Sequence, residues 1–481
     1  MTVSTTPVKV LFASVEVAPF AWTGGMGDVA GSLPKALHKL GVDVRVIMPK
    51  HRGCAERAGS MRRIVNTCEV HMPWWVTGCA VDEGRLPGSE VPVYFVEHQQ
   101  YFDREGVYGP PGASWQDNLE RFSFFCRSVV EVLRHLDWQP DLVHLNDWHT
   151  SLLALYQRLW GLDFRTIYTA HQLGPAFHGT FPAAQQTLAG IDLGRLETRR
   201  FVAHGQIDLA RAGLALADRA NTVSERYAQE VAAPGSEEGV SDLVAELGDR
   251  FCGILNGIDT EVWNPRLDHV IAAQYSEEDL GGKLECRRAL QREVGLPVTD
   301  SVPLVGMVSR LDQLKGFDLI QAALPQLGGA QFVFLGSGDP GYTAFLEGTA
   351  RYREDVAAVC RFDSELARKI YAGADMLLMP SRREPAGLAQ MIALSYGTIP
   401  VVHYTGGLAD TISEDPRHQN GFVFHEYRPD HLTAALGRAF NAYREHERWQ
   451  ELMRHAMRCD HSWGASAAKY QEMYLRALQA P

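Results

Sequence analysis

Two series of strand and helix signals, one starting at Val8 and the other at Pro303, constrain this chain more than any other feature. Each series alternates short apolar runs with amphipathic stretches, the pattern of βαβ units and parallel sheets. In the first half the runs are Val8–Val15, Val42–Met48, Asp141–Leu145, Arg165–Thr169, Arg219–Val223 and Phe251–Leu255. In the second half they are Leu304–Val308, Gln331–Leu335, Val356–Cys360, Asp375–Met379, Ile399–Val402 and Gly421–Phe424. Amphipathic segments such as Asp28–Leu40, Leu119–Leu136 and Leu388–Tyr396 supply the crossovers. The expected fold class is therefore α/β, with two doubly wound Rossmann-like domains facing across a cleft. The expected division is 1–253 with a returning C-terminal helix at 459–481, and 254–458. A chain of 481 residues suits two such cores better than one.

Other stretches read less regularly. Met61–Val96 carries short alternating strands, Gly106–Gly112 a loose Gly/Pro segment, and Asp268–Pro297 a polar helical arm. Net charge is −12, which argues against nonspecific nucleic-acid or anionic-membrane partners. No apolar run is long enough to span a bilayer. The opening MTVSTTPVKV lacks the basic and apolar regions of a signal peptide. The eight cysteines form no Cys-x-x-Cys pair, so reduced thiols in a cytoplasmic protein are expected, with no zinc site or disulfide framework.

The polar residues gather where strands end, which is where open α/β sheets bind ligands. In the second half, Arg310 and Lys315 follow Leu304–Val308, a natural anion site. Gly336–Asp339, Glu384 and Thr405-Gly406-Gly407 follow three further strands. Cations beside glycine-rich turns suit a phosphorylated ligand, most simply a nucleotide. No Walker motif and no tight His/Asp/Glu grouping is present, so neither P-loop chemistry nor a metal is expected. In the first half, Trp22-Thr-Gly-Gly-Met-Gly-Asp28 follows the run Val8–Val15, Asp147 follows Asp141–Leu145 and His171 follows Arg165–Thr169. Each has a structural alternative: solvated cations, a tight turn at Gly24-Gly25, helix caps at Asp147 and Glu384, a core histidine at His171.

Taken together, the motifs resemble those of bacterial glycogen synthases and plant starch synthases, retaining glycosyltransferases of GT-B architecture. The resemblance runs nearly end to end. It rests on Thr23-Gly-Gly-Met-Gly-Asp28, Asn146-Asp-Trp-His149, His204-Gly-Gln206, Leu255-Asn-Gly-Ile-Asp259, Val308-Ser-Arg-Leu311 with Lys315-Gly316, Leu335-Gly-Ser-Gly-Asp-Pro340, Ser381-Arg-Arg-Glu-Pro385, and Tyr396-Gly-Thr398 with Thr405-Gly-Gly-Leu-Ala-Asp410. It implies transfer of glucose from ADP-glucose to the non-reducing end of an α-1,4-glucan, with no cofactor and no metal. By carry-over, Arg310 and Lys315 neutralise the departing diphosphate, Glu384 holds glucose hydroxyls, and His171 and Asp147 shape the sugar site. Gly24, Gly25, Asp28, Gly336, Thr405, Gly406 and Gly407 line the donor, and Phe362 stacks on adenine where the family usually has tyrosine.

The chain departs from the family at three places. Trp22 stands where the family usually has lysine, and Ala386 where it has cysteine. Gln172-Leu-Gly-Pro-Ala-Phe-His-Gly179 replaces a shorter segment. Alternatives within the resemblance are another nucleotide-glucose donor, a short maltooligosaccharide acceptor, or a glucan-binding paralogue without turnover.

Overall fold

The computed structural model describes residues 7–110 and 112–479. Met1–Thr6, Pro111, Ala480 and Pro481 lie outside them, and with them most of the leader expectation and the end of the expected terminal helix. The chain divides into two compact units, Met1–Asn256 with Trp463–Pro481, and Gly257–Ser462.

The first unit contains β1 (Lys9–Ala13), β2 (Asp43–Pro49), β3 (Arg62–His71), β4 (Val76–Arg85), β5 (Pro92–Glu97), β6 (Leu142–Asn146), β7 (Arg165–Ala170), β8 (Thr180–Pro182), β9 (Val202–Ala203), β10 (Gln206–Asp208), β11 (Arg219–Thr222) and β12 (Phe251–Gly253). Nine of these form one sheet in the order β12-β11-β7-β6-β1-β2-β5-β4-β3. Its centre is parallel, and β4 and β3 extend it as an antiparallel hairpin. The strand order reverses at β1, between β2 on one side and β6 on the other. Such a switch point leaves a crevice at the carboxyl ends of the strands. β1 and β6 are buried almost throughout, as continuous apolar runs in a parallel sheet must be.

The terminal helix Trp463–Gln479 covers one face of this sheet. Ala467, Tyr470, Met473, Tyr474 and Ala477 pack there with Val10, Phe12, Leu33 and Leu37. The Tyr474 hydroxyl lies 2.7 Å from His144 Nδ1, and Tyr470 Oη accepts from Asn221 Nδ2 at 3.0 Å. These hydrogen bonds satisfy polar groups beneath the strand ends that carry the candidate site.

The second unit has one sheet of β13 (Leu304–Val308), β14 (Gln331–Leu335), β15 (Val356–Val359), β16 (Met376–Met379), β17 (Ile399–His403) and β18 (Phe422–Phe424). All are parallel, in the order β15-β14-β13-β16-β17-β18. The order reverses between β13 and β16, again a switch point.

Local expectations fail where tertiary contacts override pattern. The helical arm at 268–297 is a helix only over Gly281–Glu293, because Asn264 and Asp268 turn the preceding chain back on itself. The helix after β13 covers only Phe317–Ala323, flanked by single 3₁₀ turns. Met61–Val96 is a hairpin of two ten-residue strands rather than several short ones, followed by β5. A three-stranded sheet, β8-β10-β9, is additional. Its strands are too short to leave a period in the sequence.

Candidate active site

In the second unit, Arg310, Gly336, Phe362, Glu384 and Thr405 follow the carboxyl ends of β13, β14, β15, β16 and β17, and so share one rim. The loops after β13 and β14 are joined by backbone hydrogen bonds, Leu311 N–H to Ser337 O at 3.0 Å and Asp339 N–H to Leu311 O at 2.7 Å. A Cβ at Gly336 would lie 1.8 Å from Ser309 O, so this glycine is required by loop packing whatever it contacts besides. Asp312 accepts from Lys315 N–H at 2.9 Å and caps the turn that presents Lys315. Arg310 lies on the same loop, 3.3 Å from Asp312 and with its side chain more than half exposed.

The centre of the rim is an ion pair across the switch point. Lys315 Nζ donates to both carboxylate oxygens of Glu384, at 2.8 and 2.6 Å, and Ser381 Oγ donates to Glu384 Oε2 at 2.8 Å. Glu384 is buried, and Lys315 keeps a partly open side chain. The Glu384 backbone is fixed as well: Gly407 N–H donates to the carbonyls of Glu384 and Pro385, at 3.0 and 3.1 Å. A Cβ at Gly407 would sit 1.8 Å from Ala386 O, which excludes other residues there. The Thr405 amide is engaged within the fold as well, donating to His403 O at 2.9 Å. Phe362 is 78% exposed, a free aromatic face just past β15.

In the first unit, the switch point between β1 and β6 carries acidic and neutral groups. Asp147 follows β6 with φ 54° and ψ 179°, a region that side chains other than glycine rarely adopt. Its N–H donates to Thr169 O at 2.9 Å, and its Oδ1 accepts from His171 N–H at 2.7 Å. These bonds hold the strained turn and join the ends of β6 and β7. Burial raises the Asp147 carboxyl to about 7, and the charge of Glu16 adds to the rise.

His171 Nε2 lies 2.9 Å from Asn146 Oδ1. The Asn146 amide is oriented by its Nδ2 donating to Ala13 O at 3.0 Å, so His171 Nε2 carries the hydrogen and Nδ1 presents a lone pair. Burial lowers the imidazole to about 3, so it is neutral at physiological pH.

The glycine-rich turn is organised by a residue that sequence reading left out. Glu16 accepts from Thr23 N–H, Thr23 Oγ1 (2.9 Å), Gly24 N–H (3.3 Å) and the Tyr108 hydroxyl. Gly25 begins the helix Gly25–Lys39, and a Cβ at Gly24 would meet nothing within 4 Å, so the turn faces open space. Trp22 and Asp28 flank it, both exposed. Glu16 was visible as a carboxylate at a strand end. Tyr108 comes from the irregular Gly106–Gly112 stretch and left no signal. Among the described residues, no group of three or more His, Cys, Asp or Glu is placed to hold a metal.

Residues 9–246 match the family "Starch synthase catalytic domain" and residues 292–455 "Glycosyl transferases group 1". A glycogen synthase of Syntrophotalea carbinolica is 43% identical over 98% of this chain and 99% of that protein. One of Thermotoga maritima is 41% identical over 98% and 99%. The catalytic domain of starch synthase IV from Arabidopsis thaliana, solved bound to ADP and acarbose, superposes with a TM-score of 0.92 at 34% identity, covering 99% of this chain and 100% of that one. The fold is the two-domain α/β fold of the GT-B class. The chain belongs to the glycogen and starch synthase family of glycosyltransferases.

Proposed function

We propose that the chain transfers the glucosyl group of ADP-glucose to the non-reducing end of an α-1,4-glucan, with retention of the α configuration. The observation that carries this reading is the Lys315–Glu384 pair at the β13/β16 switch point, with Arg310 on the same loop. Breaking the bond between the anomeric carbon and the diphosphate builds negative charge on phosphate oxygens. Fixed cations stabilise that charge, each worth about 3 kcal/mol by analogy with other preorganised sites. Arg310 offers a planar fork and Lys315 a point charge whose direction Glu384 sets. Glu384 also offers acceptor lone pairs to glucose hydroxyls. Phe362 offers a ring face to adenine, and Gly336 and Thr405–Gly407 shape the adjoining wall. In the first unit, His171 Nδ1 accepts a sugar O–H as a neutral imidazole and Asp147 fixes the His171 backbone. The Gly24-Gly25 turn, with Trp22 and Asp28, adds a further donor-side surface. We place the activity in the cytoplasm, where nucleotide sugars are made, and assign no cofactor, because protein cations meet the leaving group.

Trp22 supports a second reading. An exposed indole where relatives usually carry lysine removes one cation and adds a stacking face, which shifts donor choice or acceptor length. The test is a donor panel, ADP-glucose against UDP-glucose, on wild type and Trp22→Lys with glycogen and no added metal. The main reading requires ADP release with preference for ADP-glucose. Normal glycogen binding without release from either donor would instead identify a glucan-binding paralogue.

A further inference from the structure

The hairpin of β3 and β4 forms the outer end of the first sheet, with β3 as the edge strand. Its register sets Cys68 directly opposite Cys79. Cα atoms of directly opposed residues lie about 4.5–5.5 Å apart, inside the span of about 4.4–6.8 Å that a disulfide bridges. Both side chains are buried, 1% and 4% exposed, in the core cluster that includes Val129 and Val132 of the helix Asn118–Leu133. They point to the same face of the hairpin, and each thiol shifts the acidity of the other. Ten residues separate the two in sequence, and no spacing rule flags them. The strand register alone brings them together.

We propose that Cys68 and Cys79 are a reactive dithiol that hydrogen peroxide converts to an intrachain disulfide. The roles are unequal. The neighbouring Cys79 lowers the pKa of the Cys68 thiol, and the neighbouring Cys68 together with burial raises that of Cys79. Cys68 is therefore the nucleophile and Cys79 the resolving partner. The Cys68 thiolate attacks one peroxide oxygen, the O–O bond breaks, and sulfenic acid and water result. The Cys79 sulfur then attacks the Cys68 sulfur, the S–O bond breaks, and a second water leaves. Two thiols and one peroxide give one disulfide and two waters, with two electrons passing from sulfur to oxygen. Because directly opposed strand positions have the Cα spacing that a disulfide spans, closure calls for side-chain rotation rather than strand movement. Local opening of an edge strand gives a small oxidant access.

The test uses the intact purified chain. Residues Ile64–Arg85 contain no internal Lys or Arg, so one tryptic peptide carries both sulfurs. After limited hydrogen peroxide and iodoacetamide, that peptide is expected to weigh two hydrogens less, carry no alkyl group, and regain both on reduction. In Cys79→Ser, dimedone is expected to trap Cys68 as sulfenic acid, and in Cys68→Ser, Cys79 stays unlabelled. The proposal is overturned if both thiols of the wild-type peptide remain alkylatable while exposed Cys252 is oxidised, or if Cys79 is the one trapped.

Discussion

The two units share a strand order and differ in what they place on it. Each sheet reverses direction beside its first strand, at β1/β6 in the first unit and β13/β16 in the second. Each reversal is tied at its far end by one device. Asp141, at the start of β6, accepts from Lys9 N–H at 2.8 Å and returns its own N–H to Lys9 O at 2.9 Å. Asp375, at the start of β16, does the same with Leu304, at 2.7 and 2.9 Å. At the ligand end the chemistry diverges. The second unit sets a cation against a buried carboxylate, Lys315 against Glu384. The first sets carboxylates Glu16 and Asp147 beside a neutral His171. Topology supplies the place, and a few loop residues decide whether it suits a phosphate or a sugar hydroxyl.

This contrast predicts its largest effect on activity. Lys315→Ala is expected to lower kcat by about 10²–10³-fold with glycogen binding intact, because it removes charge stabilisation at the leaving group. Equal kcat with a raised KM for ADP-glucose would instead make Lys315 a ground-state anchor. The far ends of the sheets give the next effect. Arg287 Nη1 donates to buried Asp375 at 2.6 Å, whereas Asp141 is exposed. Asp375→Asn is expected to cost about 3–5 kcal/mol by leaving Arg287 unpaired, and Asp141→Asn under about 1 kcal/mol. Urea unfolding of both variants measures the difference, and equal costs would mean that burial does not separate the two devices.

The third effect concerns pH. The Asp147 carboxyl is raised from 3.8 to about 7 in the folded chain, so folding favours its protonated form. That contribution is fully present below about pH 4 and is lost as pH rises through about 7. Asp147→Asn keeps an acceptor for His171 N–H and removes the titration. It is expected to match wild type near pH 4 and exceed it at pH 8 by on the order of 2 kcal/mol. A constant difference across that range would contradict the account. The smallest effect is at Phe362: if the proposed stacking on adenine holds, Phe362→Ala raises the KM for ADP-glucose by about fivefold, from roughly 1 kcal/mol of lost stacking.

Much of this architecture was legible in the residues. Continuous apolar runs such as Leu304–Val308 and Gln331–Leu335 mark buried parallel strands, and the polar residues after them mark the rim. The candidate residues were legible as strand-end positions, but not as partners. Lys315 and Glu384 are 69 residues apart, and only the adjacency of β13 and β16 joins them. Gly336 and Gly407 read equally as ligand-facing glycines, until the carbonyls packed against them give each a reason of its own. Glu16 was passed over because a hub of four donors is assembled from a turn and a distant tyrosine. The Cys68–Cys79 pair was hidden for a similar reason, since hairpin register is set by turn geometry and face matching rather than by cysteine spacing.

The central claim is that this chain moves glucose from a nucleotide onto a glucan using its own cations. The most direct measurement incubates the purified wild-type chain with ADP-glucose, glycogen and a metal chelator, and counts ADP released against glucosyl units added in α-1,4 linkage. The account predicts one unit added for each ADP, at a rate the chelator leaves unchanged. ADP release without glucan growth, or transfer that stops on chelation, would contradict it.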